Sequence, residues 1–168
     1  MSRALIALFA IAAGSLTAAI ALAASAPRDD EKSPIYGVTV PKGYRHWEFI
    51  APAHESPPLD ELRVVVGNDI AVRAYREGTL PFPDGSVLVK LAWKHQPSGE
   101  FAPAYVPGAA TTIQVMEKDS RKYASSGGWG FGRFVGATPV DIAQHRTCLG
   151  CHKDNVKDHD LVFTRYAQ

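Results

Sequence analysis

"SVLVKLAWK" (residues 86–94) decides the fold, because its side chains alternate with the period of two that belongs to a β-strand. Val87, Val89, Leu91 and Trp93 fall on one face, and Ser86, Leu88, Lys90, Ala92 and Lys94 fall on the other. A lone strand leaves its backbone groups unpaired, so neighbours must be sought on either side. Ahead of it, "PFPDGS" (81–86) supplies Pro and Asp-Gly turn chemistry. Further upstream, "LRVVVGND" (62–69) reads as a shorter strand that stops at Gly67 and Asn68. Asn68 can cap a helix running through Glu77, with Ile70, Ala71, Ala74 and Tyr75 on one face and Gly78 as its C-terminal stop. Thr111 to Lys118 and Trp129 to Val135 are two further strands around the small-residue turn "ASSGG" (124–128). "APAHESPP" (51–58) reads as a Pro-rich loop, Val140 to Asn155 as a helix, and "DLVFTRY" (160–166) as an extended end. With 12 Pro and 14 Gly scattered between short strands, a helical bundle is excluded. The expected class is α+β, a mainly antiparallel sheet with a few helices packed at its face or ends.

The chain opens "MSRALIALFAIAAGSLTAAIALAASA" (1–26), one cation at Arg3 and then an apolar run, the pattern of a secretory signal peptide with cleavage after Ala23. The run is also long enough for an uncleaved membrane anchor. Removing residues 1–23 from 168 leaves 145, enough for one domain with a real core. A flexible leader is expected over 24–43 and the domain proper over 44–168. Arg3 is the one charge lost, which leaves 17 of the 18 basic residues against 17 acidic ones. Balanced charge gives no case for nucleic acid.

Both cysteines lie in "TCLGCHKDN" (147–155). A structural zinc would need more thiols or histidines at finger spacing, and a thioredoxin-like pair would sit near a domain's start. A plain disulfide would not need the adjacent histidine. The pattern Cys-x-x-Cys-His instead suits covalent attachment of one c-type haem, with Cys148 and Cys151 adding to its vinyl groups and His152 ligating iron. An electron-transfer haem takes a second strong ligand. After export Met116 is the one methionine left, and strand alternation reads it as core filler. His46, His54, His95, His145 and His159 read as solvated. An open sixth position is therefore expected, and with it binding or activation of a small molecule. The alternative is a simple six-coordinate electron carrier.

Several stretches resemble the cytochrome P-460 family, which includes the beta-type cytochromes c prime: "PKGYRHWEF" (41–49), "LRVVVGNDIA" (62–71), "FPDGSVLVK" (82–90), "VMEKDSRKY" (115–123), "GWGFGRF" (128–134) and "CLGCHKDNVKDHDLVFTRY" (148–166). The resemblance implies a periplasmic, mainly antiparallel protein, often a homodimer, with a five-coordinate haem. It further implies a small nitrogen-containing ligand, nitric oxide or hydroxylamine, and electron exchange with a periplasmic redox partner. Lys90 falls where catalytic members join a lysine to the haem ring, although on pattern alone it belongs to the polar face of its strand. Arg63 matches a pocket arginine, whose other reading is a haem propionate partner or a surface charge. Gln114 stands where catalytic members place a carboxylate, and an amide cannot accept a proton near neutral pH. Hydroxylamine oxidation and gas binding both stay open. Trp93, Phe101, Trp129, Phe131 and Phe134 are read as core, with a pocket wall as the other role.

Overall fold

The computed structural model describes residues 31–167; the expected signal peptide and the first part of the leader lie outside them. Six strands follow one another across a single sheet in chain order: β1 (Glu48–Glu55), β2 (Glu61–Gly67), β3 (Val87–Pro97), β4 (Tyr105–Lys118), β5 (Trp129–Val135) and β6 (Thr138–Pro139). Every neighbouring pair is antiparallel. Helix α1 (Asp69–Glu77) joins β2 to β3, and α2 (Ile142–Val156) follows β6. The fold is therefore α+β and mainly antiparallel, as the alternation of residues 86–94 predicts.

Local signals place the two helices. Asn68 accepts from Ala71 N at 3.1 Å and Gly78 closes α1 in the left-handed region at φ 65°. Asp141 caps α2 by accepting from Gln144 N at 2.8 Å.

Both sheet faces are covered, so the strand that looks half-polar is buried on each side. Leu88 joins Ile50, Val65, Phe131 and Val162 in a core under α1 and the C-terminal tail. Val89, Leu91, Val115 and Phe134 form a second core with Val38 and Tyr44. The later part of the expected leader thus packs into the domain: Val38 is buried, and buried Ser33 donates to the Phe131 carbonyl at 2.9 Å.

Residues 51–55, read as the start of a Pro-rich loop, belong to β1 instead. Proline is admissible there because β1 is an edge strand and one side of its backbone needs no partner. The tail 160–166 enters no sheet; Ala167 N donates to the Ile50 carbonyl at 2.9 Å, and Tyr75 OH donates to the Thr164 carbonyl at 3.2 Å.

Candidate functional site

A cleft enclosing about 520 Å³ of empty space, its open mouth included, lies between the sheet and α2. Lys90, Gln114, Met116 and Phe131 line it from the strands, Cys148 and His152 from α2, and Phe163 from the tail.

On the helical side, Cys148 and Cys151 are three positions apart and so share one face of α2. Both thiols are free; Cys148 is half-buried and Cys151 exposed. Burial pushes the Cys148 thiol up from its ordinary value. His152 packs between the Phe131 and Phe163 rings, each with its centroid 4.9 Å away. Its Nδ1 is 2.6 Å from the Leu161 carbonyl oxygen. A carbonyl can only accept, so Nδ1 carries the proton and Nε2 keeps its lone pair. Burial lowers the pKa of His152, the Lys90 charge adds to that, and together they outweigh the Leu161 hydrogen bond.

The Leu161 carbonyl reaches His152 because two successive residues turn left-handed, Asp160 at φ 49° and Leu161 at φ 63°. A bulky non-glycine residue in that region costs roughly 1–3 kcal/mol and persists only when its surroundings hold it. Here the holder is Asp160 itself. Its carboxylate takes Lys118 Nζ at 2.8 Å on both oxygens and Phe82 N at 2.8 Å on one.

The strand side is assembled by register. Val65 pairs with Lys90, Lys90 with Gln114, and Gln114 with Arg133, forming one row across β2 to β5. Lys90 is not simply solvated: its Nζ donates to Glu55 Oε2 at 3.0 Å, and the other oxygen of Glu55 accepts from Arg63 Nη1 at 2.8 Å. Glu55 thus links the two residues the sequence singles out, although Arg63 stands outside the cleft lining. Gln114 lines the cleft and donates to Thr112 Oγ1 at 3.2 Å. Glu117 is elsewhere, accepting from Tyr123 OH at 3.3 Å beside the second core.

Not every histidine read as solvated is so: His46 and His54 are exposed, and His95 and His159 are half-buried. His145 is fully buried rather than solvated: its Nε2 accepts from Arg133 N at 3.1 Å and its Nδ1 meets the Asp141 carbonyl at 3.0 Å. Met116 packs against the first core, as core filler should, and it also faces the cleft in the row Leu88, Met116, Phe131. Among the five aromatics, Phe131 lines the cleft; Trp129 and Phe134 are buried in the cores, Trp93 packs against the second core, and Phe101 is exposed.

Glu55, Arg133, Leu161 and Phe163 escape sequence reasoning. Glu55 lies in a Pro-rich stretch, Arg133 among glycines, and Leu161 acts through its backbone. Only the spacing of the tail after His152 hints that it returns to the histidine.

The residues fit a c-type haem. Two free thiols stand one helical turn apart, and an imidazole is fixed in the tautomer a metal needs. Arg133 Nε is buried and has no hydrogen-bond partner among the described residues, a donor suited to a haem carboxylate. A comparison with curated proteins returns no match. The family described as cytochrome P460 matches residues 41–164, well over half of the chain and every element that builds the cleft. On that match the chain belongs to the cytochrome P460 family and is a haem-binding cytochrome.

Proposed function

We propose that the protein is an exported mono-haem c-type cytochrome of the periplasm, its haem joined to Cys148 and Cys151, ligated by His152 and open toward Lys90. The open side takes a small nitrogen-containing ligand, nitric oxide or hydroxylamine, and electrons pass to a periplasmic redox partner. The observation that carries this reading is the asymmetry of the cleft: among the described residues lining it, His152 is the one imidazole, and its Nε2 is the free lone pair.

When bound, the haem supplies an iron centre that can hold the ligand and exchange electrons with it. The Leu161 carbonyl fixes the His152 tautomer and makes the imidazole a better donor to iron. Lys90 and Gln114 bring polar hydrogen-bond donors to the opposite wall. Gln114 offers no proton acceptor near neutral pH, and Glu55 already has both oxygens engaged by Lys90 and Arg63. Ligand binding is thereby favoured over rapid hydroxylamine oxidation. Attachment of Lys90 to the haem ring, which the family resemblance leaves open, is compatible with its place on the wall; intact mass after proteolysis tests it.

A second reading, a six-coordinate electron carrier, draws support from Met116 facing the cleft. Met116 shares its row with Phe131, whose ring packs on His152. The optical spectrum of the reduced protein separates the two. A high-spin ferrous form that shifts on adding nitric oxide is expected, and sharp low-spin bands in the ligand-free protein overturn the open-site reading.

A further inference from the structure

At the turn joining β1 to β2, three side chains from three segments converge: His54 near the end of β1, Asp60 in the turn, and His95 on β3. Asp60 Oδ1 lies 2.7 Å from His95 Nε2 and 3.5 Å from His54 Nε2. One ligand atom from each of the three falls within 4.8 Å of the other two. His54 belongs to the row His54, Leu62, Trp93, on the sheet face away from the cleft, and none of the three lines the cleft.

An aspartate that merely orients a histidine needs one imidazole, yet here two reach the same carboxylate oxygen. Their rings meet edge to face, with centroids 5.1 Å apart. His95 is set in place beforehand: its side chain is only 17% exposed, and its ring packs edge-on against Tyr105 at 4.5 Å. The turn is tied down as well, since Lys94 Nζ donates to the Leu59 carbonyl. Asp60 sits at φ 53°, a conformation that Asp and Asn tolerate better than other side chains.

We infer that His54, Asp60 and His95 form a second metal site, separate from the haem, that binds one divalent transition cation of the zinc type, with water completing its coordination. Two imidazoles and one carboxylate suit zinc or its borderline neighbours; calcium and magnesium take oxygen ligands instead. Metal-to-ligand distances of about 2.0–2.2 Å place ligand atoms of a tetrahedral site roughly 3.3 Å apart. The His54 to Asp60 separation is already close to that, and the shorter Asp60 to His95 contact opens by less than an ångström as the cation replaces its shared proton. Binding would clamp the β1–β2 turn to β3, one residue from Glu55.

The test uses the untagged, haem-loaded protein. Calorimetric titration with Zn²⁺ alone should show one saturable site per chain, and elemental analysis after dialysis should find one zinc beside each iron. His54→Ala and Asp60→Asn should each weaken zinc binding at least about tenfold, given that even outer-shell changes have effects of 10–100-fold. Unchanged haem absorption and melting temperature certify that both variants are folded. X-ray absorption at the zinc edge should report two imidazoles. Absence of a saturable site, or zinc binding by both variants equal to that of the parent, overturns the inference.

Discussion

The two walls of the cleft are built in opposite ways. On the helical side, Cys148, Cys151 and His152 come from one continuous stretch, and their spacing on α2 is set by the helix itself. On the strand side, Lys90 and Gln114 line the cleft with Glu55 and Arg63 behind them; the four come from four different strands and meet only because β1 to β4 pair in one register. A one-residue slip of any strand would turn its contribution to the other face. The first wall depends on local geometry, the second on the whole sheet. The helical wall has one non-local dependence, the return of the tail that brings the Leu161 carbonyl to His152.

That dependence gives the largest expected effect. Lys118→Met leaves Asp160 in its nearly buried position without its cation, and breaking such a pair by removing one partner costs about 3–5 kcal/mol. Denaturant titration should show a loss of that order, accompanied by a changed iron spectrum as the His152 anchor loosens. A change in stability with an unaltered spectrum would break the link between the ion pair and the histidine.

Glu55→Ala probes the other wall. It removes the shared acceptor of Lys90 and Arg63, but all three side chains are more exposed than Lys118 and Asp160, so water takes over much of the lost bonding. A smaller stability loss than for Lys118→Met is expected, together with a changed dissociation rate for nitric oxide. The ligand-free iron spectrum should stay as it is, because nothing on the His152 side is touched. A shifted ligand-free spectrum would show that the two walls are not separable.

The smallest effect concerns the start of α2. Hydrogen bonding from Gln144 N holds the Asp141 carboxyl below its ordinary value, so the folded state favours the ionised form. Its contribution is fully present above the unfolded carboxylate pKa of about 3.9 and is lost as pH falls through the lower folded value. Amide exchange at Gln144 should therefore quicken in acid. Asp141→Asn, which keeps a capping side chain, should remove that pH dependence. An identical acid response in the variant would assign the loss to another group.

Parts of the molecule were legible for definite reasons. Residues 86–94 announce a strand because alternation is a property of the backbone, and Asn68 and Gly78 mark the ends of α1 because capping is local. Pro52 misled the reading of residues 51–58 because proline's place at a sheet edge depends on strand order, which no local stretch carries. His145 misled for a similar reason: its burial follows from α2 docking on β5, where the Arg133 amide is its partner.

Sequence by itself determined the antiparallel α+β class, the helix carrying Cys148, Cys151 and His152, and the chemistry those three residues favour. Each rests on residues within a few positions of one another, where covalent geometry fixes the outcome. Tertiary structure alone decided that Glu55 joins Lys90 to Arg63, that Leu161 sets the tautomer of His152, and that His54, Asp60 and His95 converge. These contacts span 8 to 41 positions of chain, counted from His54 to His95 for the longest, and depend on register and on the return of the tail.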